Sequence, residues 1–199
     1  AKSGATSAPP VATPSAAAPT TSSSAAQAGA TASASAVTFE PPLFGPDGGT
    51  LAQTKDKPAI DDKVFEAHLA QLWQAIVHDD VERARSFFFP LEAYRQVKDI
   101  KRPERDWKYR LFKAFTRNVH AYHKQLGKNA SQAKLVRIEL RNKPKWMKRG
   151  SEGNRIGYWR VTRSYLHFLD AQGNKRRFDL TSMISWRGHW YVVHLHGFK

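Results

Sequence analysis

The amino-acid sequence predicts an α+β fold, with N-terminal helices packed on a curved antiparallel sheet of about four strands and a disordered tail in front. Three observations carry this expectation. Apolar residues recur at helical spacing as far as Leu126, the period changes to two after Gly127, and the second half is punctuated by hairpin-type turns. Sequential strands joined by tight turns pair antiparallel and leave the preceding helices to cover one face, which is the α+β arrangement.

The tail is set by composition. Of the first 36 residues, 33 are Ala, Ser, Thr, Pro or Gly, the exceptions being Lys2, Val11 and Gln27. A stretch without large apolar side chains has no core to build and is expected to act as a flexible tether. Val37–Pro58 reads as a second linker. Pro41-Pro42 and Gly45–Gly49 are turn chemistry, while Phe39, Leu43 and Phe44 are placed to dock on a domain. The expected division is therefore a stalk and linker over 1–58 and a folded domain over 59–199, about 150 residues being enough for one core.

The helices follow in order. Asp61 or Asp62 is placed to cap a first helix whose apolar stripe is Val64, Leu69, Leu72, Ile76 and Val77. His78-Asp79-Asp80 interrupts it, a short helix Val81–Phe89 stops at Pro90, and Leu91–Val97 forms another helical turn or two. Glu104–Leu126 is the strongest periodic segment. Leu111, Phe112, Phe115, Val119, Tyr122 and Leu126 share one arc, Arg110, Lys113, Arg117 and Lys124 the opposite one, and Gly127 is a natural C-cap. His120 and His123 fall near the polar side and are expected to be solvated.

The strands come next. Val136, Ile138 and Leu140 alternate with Arg137, Glu139 and Arg141, predicting a strand with the apolar set inward. Pro144–Gly153 is expected to be a basic loop with Trp146 exposed between Lys145 and Lys148. Arg155–Leu169 is a long strand or bent pair, Asp170–Asn174 a hairpin turn, Arg177–Trp186 a strand with Phe178, Leu180, Ile184 and Trp186 on one face, and Trp190–His196 the last strand.

Charge limits the partners. The formal net charge is +15, and Arg95–Arg149 holds 18 Lys and Arg against four acids. Such a field attracts polyanions, whether acidic cell-envelope polymers, anionic lipid or nucleic acid. With no cysteine, disulfide scaffolds and thiolate zinc sites are excluded. No apolar run approaches the ~20 residues of a spanning helix, so no transmembrane segment is expected. The chain begins Ala-Lys-Ser-Gly without Met, and a Ser/Thr/Pro/Ala stalk follows. That is what a secretory precursor looks like once its signal peptide is removed, so export to the periplasm or cell surface is expected.

Leu72–Pro90 and Trp186–Leu195 carry a further likeness. A long first helix, the step Asp79-Asp80-Val81-Glu82-Arg83-Ala84, a short helix ending in Phe-Pro, and a final strand pair reading Trp186-x-x-Gly188-x-Trp190-Tyr191-Val192 resemble the NTF2-like superfamily. The resemblance covers about 61–199. It implies a curved sheet wrapped around the long helix, a pocket at the open end of the cone, and dimerisation through the outer sheet face. Members include small-molecule enzymes and exported domains, and the enzymes usually hold an Asp, often with His or Tyr, inside the cone. Among the acids after Gly127, Glu139 points away from the apolar face, Glu152 and Asp170 read as loop or turn, and only Asp179 lies mid-strand, opposite in parity to Phe178 and Leu180.

The candidate ligand-pocket residues are Tyr158, Arg160, His167, Asp179 and His194. Tyr158, Arg160, Thr162, Ser164, Leu166 and Phe168 share one strand face, and Trp159, Val161, Arg163, Tyr165 and His167 the other. Either face brings an arginine, a good carboxylate or phosphate ligand in a concave site. His194 and His196 with His167 have the residue types of a zinc site, but no carboxylate is placed to orient them, and no metal or cofactor is expected. The anion-binding candidates are Arg110, Lys113, Arg117, Lys124, Lys145, Trp146 and Lys148. Nucleophile elbows and phosphate-binding glycine loops are missing, and no catalytic set is assigned. The function expected is a non-catalytic, exported binding domain engaging an acidic polymer or a partner protein through its basic face. A pocket enzyme of the same fold, or a nucleic-acid binder, are the alternatives.

Overall fold

A computed structural model describes residues 42–196. The expected stalk, together with Phe39 and the last three residues, lies outside them. The described chain is α+β, with helices first and one antiparallel sheet after them.

Helix α1 (Lys63–His78) starts at Asp62, whose carboxylate accepts the Phe65 amide at 2.7 Å, and stops at Asp79, which turns left-handed at φ 55°. Its buried side is Phe65, His68, Leu72, Trp73, Ile76 and Val77. The next segment, Val81–Phe87, is a 3₁₀ helix and not an α-helix. Phe88 and Phe89 then run extended: Phe88 bridges Val192, and the Phe89 amide donates to the Val192 carbonyl at 3.0 Å. Helix α2 (Leu91–Val97) follows Pro90.

The long helix is continuous from Pro103 to Leu126 but not uniform. Helix α3 (Pro103–Asp106) leads into a π-helical turn (Trp107–Phe112) and then helix α4 (Lys113–Leu126). Leu111, Phe115, Val119 and Tyr122 are buried and Phe112 and Leu126 half-buried, whereas Arg110, Lys113, Arg117 and Lys124 are exposed, as the periodicity predicts; Trp107, outside the predicted stripe, is buried as well. Gly127 ends it with φ 74°, a conformation glycine adopts without strain. His123 is less solvated than expected, because its Nδ1 donates to the Ile76 carbonyl of α1 at 3.0 Å.

The strands are β1 (Lys134–Leu140), β2 (Lys145–Met147), β3 (Tyr158–Leu169), β4 (Lys175–Trp186) and β5 (His189–His194). Their order is β1-β3-β4-β5, with β2 pairing the free end of β3. The concave face is the one bearing Tyr158, Leu166 and Phe168 on β3 and Phe178 and Leu180 on β4. Tyr122 of α4 stacks on Phe178 with ring centroids 4.2 Å apart, and Trp73 of α1 meets Phe168 at 5.3 Å. Phe88 packs on Phe115 at 4.7 Å, so the helices and the sheet share one core.

Three expectations are corrected. Val136 does not face inward: it is 57% exposed. The β1–β3 register slips between Leu135 and Arg137, and this bulge turns Leu135, Ile138 and Leu140 onto the core and Val136 out. Pro144–Gly153 is not all loop. Trp146 lies in β2 opposite Trp159, half-buried, with its indole against Gly157. Residues 42–58 are not a free linker. Leu43 packs on the core while Phe44 stays exposed, the Gln53 side chain donates to the Ser185 carbonyl (2.9 Å) and accepts the Arg187 amide (2.7 Å), and the Lys55 carbonyl accepts the Trp159 indole N–H (2.9 Å).

Candidate functional site

Two adjoining concavities sit between the long helix and the last strands. The larger is a groove of about 860 Å³ running along the exposed flank of the π-turn and α4 to the end of β5. Lys108, Tyr109, Arg110, Lys113, Arg117 and His120 line its helical side, and Val193, His194 and His196 the strand side. No carboxylate is among its lining residues. His120 pairs with Asp79 and His196 with Asp179 (2.9 Å), which answers those imidazoles locally. Lys108, Lys113 and Arg117 make no ion pair among the described residues. The floor carries Phe112, Ala114 and Phe115, and Tyr109, 61% exposed, stands among the cations with Lys108 over its ring at 5.4 Å. The geometry is a cationic trough with an aromatic ledge.

The smaller cavity, about 140 Å³, lies behind it, between α2, the π-turn and β3–β5, and shares Arg110, Val193 and His194 with the groove. Its polar side groups come from separate elements. Lys98 follows α2, Tyr158 and Arg160 project from the concave face of β3, and Ser182 and His194 face each other across β4–β5 with Oγ and Nδ1 2.9 Å apart. Glu152 enters from the loop before β3. Its carboxylate accepts the Tyr158 hydroxyl at 2.7 Å and pairs with Arg160. The loop is held by buried Asn154, which accepts the Glu152 amide (2.9 Å) and donates to the carbonyls of Lys148 (3.0 Å) and Ile156 (2.8 Å). Tyr94 donates to Asp106, and Asp106 takes two bonds from Arg110 at 2.6 and 2.7 Å.

Electrostatics follow from this placement. The Arg110 hydrogen bonds hold the Asp106 carboxyl below its ordinary value. Burial, then repulsion from Arg110, Arg160 and Lys98, lowers His194 to about 4, so it is neutral at physiological pH. Burial lowers Arg160, and burial followed by repulsion from Arg110 lowers Lys98. Burial raises Tyr158 to about 12. The Tyr158 hydroxyl therefore serves as a hydrogen-bond donor rather than as a base.

The predicted residues divide clearly. Tyr158, Arg160 and His194 meet in the smaller cavity, on the strand face that parity left open. His167 and Asp179 do not join them. His167 is on the convex face, with Nε2 2.7 Å from Glu139, and Asp179 pairs with His196 at the rim of the sheet. His167 is thus separated from His194 and His196, and no group of three metal-ligating side chains occurs among the described residues. Of the anion-binding candidates, Arg110, Lys113 and Arg117 line the groove and Lys124 lies beyond it. Lys145 in β2 and Lys148 just after it lie on the β3 edge, across the sheet from β5, and Trp146 is half-buried against Gly157 and Trp159. Asp179, the one acid among the predicted pocket residues, is not in the cavity. Glu152 is, and its signal is the Gly150–Gly153 loop, which puts Glu152 six residues before Tyr158, close enough to fold back onto that face.

No protein-family profile, curated protein or solved structure matches this chain. No helix among the described residues is long and apolar enough to cross a membrane.

Proposed function

We propose that this chain is an exported, non-catalytic binding module of NTF2-like build that grips an acidic polysaccharide through the groove along its long helix. The observation that carries the reading is the groove's lining. Lys108, Lys113 and Arg117 line one wall without an ion pair, and no carboxylate shares the lining with them. Surface cations with their own acids nearby are largely neutralised; an uncompensated row keeps its field for a ligand. Tyr109 supplies a ring on which a sugar face can stack, between Lys108 and Arg110 on the same turn. The composition of the first 36 residues supports a tether and, with it, work outside the cytoplasm.

Binding of polygalacturonate, followed by fluorescence anisotropy, tests this. Affinity falls steeply between about 50 and 300 mM salt as screening removes the Coulomb attraction. The pair Lys113→Glu and Arg117→Glu weakens it by roughly tenfold or more, about 1.4 kcal/mol. Salt-independent binding, or an unaffected double variant, overturns the reading. Tighter binding to single-stranded DNA at equal charge transfers the groove to the nucleic-acid alternative.

A further inference from the structure

The cavity behind the groove holds more positive than negative charge. Lys98, Arg110 and Arg160 converge on it. Asp106 answers Arg110 and Glu152 answers Arg160. Lys98 is bonded to the Glu152 backbone carbonyl at 2.7 Å, and no carboxylate lies within ion-pair distance of its ammonium among the described residues. A partly buried cation facing other cations is costly until an anion joins it. Tyr94, Tyr158, Ser182 and His194 add polar groups to the lining, and Phe89, Val97, Leu111, Ile184 and Val193 form an apolar wall beside them. Its volume, about 140 Å³, is close to that of an engineered cavity of about 150 Å³ that accepts benzene.

We propose that this cavity binds a small organic carboxylate with an apolar body no larger than benzoate. Its carboxylate sits between Lys98 and Arg160, and its body rests on Leu111, Ile184 and Val193. The apolar wall is what selects an organic acid over inorganic phosphate, whose surface is polar on every side. Glu152 sits on Arg160 as a built-in carboxylate, showing the geometry in which this arginine accepts one. Asn154 and the Lys98 ammonium both tie the Glu152 loop, and an ammonium has three N–H donors, so Lys98 can keep the Glu152 carbonyl and still donate to a ligand. The inference stands apart from the groove reading, because it rests on Lys98 and Arg160 and not on Lys113 or Arg117.

The full chain is titrated with acetate, isovalerate and benzoate, with benzyl alcohol and inorganic phosphate as comparisons, and followed by calorimetry and by amide shifts around β3 and β5. At least one of the three acids binds saturably, about ten- to a hundredfold tighter than benzyl alcohol, as a charge-assisted hydrogen bond in a partly dry site requires. Lys98→Met removes this preference and Lys98→Arg retains it. Lys113→Glu with Arg117→Glu leaves carboxylate binding unchanged, so loss of polymer binding and loss of acid binding are separable. The proposal is overturned by no saturable binding of any of the three acids, by equal binding of the alcohol, or by phosphate binding as tightly as the best acid. If Lys98→Met does not fold, the comparison of acid with alcohol on the unaltered chain decides alone.

Discussion

His68 shows how one side chain makes the fold sensitive to acid. It is buried at the foot of α1, stacked on Phe87 at 5.2 Å, and neither ring nitrogen has a hydrogen-bond partner among the described residues. Burial, reinforced by His189, lowers it from the ordinary 6.5 to about 4. The unfolded chain therefore takes up this proton near 6.5 and the folded chain only near 4. Stability from His68 is complete above about pH 6.5 and is lost as pH falls towards 4, on the order of 3 kcal/mol at most. His194 acts in the same direction. Denaturant unfolding of the His68→Phe variant at about pH 7.5 and 4.5 should show a markedly smaller acid loss than the parent chain, roughly half as large, since His194 remains. At this scale the pocket was partly legible. Strand parity puts Arg160 and Tyr158 on one face, but both faces of β3 carry an arginine, so parity alone does not tell which face lines the cavity. Parity does not reach Glu152, because a loop residue obeys no period and its place depends on Asn154 closing the turn behind it.

Individual elements depend on close backbone approach and on irregular steps that periodicity does not report. In the long helix Trp107, Leu111 and Phe115 are spaced by four. Regular α-winding would rotate each about 40° past the last. The wider π-turn over Trp107–Phe112 offsets that drift, so Trp107 still reaches the Phe89 carbonyl at 2.7 Å while Phe115 meets Phe88. Gly157 plays the comparable part beside β2. A Cβ there would stand 2.5 Å from the Trp146 ring and 3.0 Å from the Met147 carbonyl. Gly157→Ala should push β2 off β3, cost about 1–3 kcal/mol in denaturant unfolding, and shift Trp146 emission to the red. Normal stability with unchanged emission would show that β2 does not need this contact. The helices were legible because their stripes are long and amphipathic. Val136 was misread because a bulge inserts one residue into an otherwise alternating run, and alternation alone cannot reveal the insertion.

At the scale of the whole molecule, the folded unit begins before the boundary that composition suggests. Pro, Gly and Thr make residues 42–58 look like a spacer, yet Leu43 packs on the core and Gln53 bonds both Ser185 and Arg187. A low-complexity spacer and an irregular docked strap share a composition; only the partners on the sheet tell them apart. A chain beginning at residue 59 should melt about 5–10 °C below one beginning at residue 38, because several partly buried bonds of about 1 kcal/mol each go with the strap. Equal melting temperatures would mean that the strap merely lies on the surface. The strap also sits on part of the convex face: Trp159 is bound by Lys55 and crossed by the Lys57 ammonium at 5.8 Å. A second copy approaching that face would meet this segment before it met the strands.

Mechanical load gives the docked strap its last consequence. A pull on residue 42 towards the N-terminus is transmitted first to Leu43 and then to the ties at Leu51, Gln53 and Lys55. They lie one after another along the chain, so they yield in succession, like a peeled tape, while the ladders of β3 and β4 bear no tension until the last has gone.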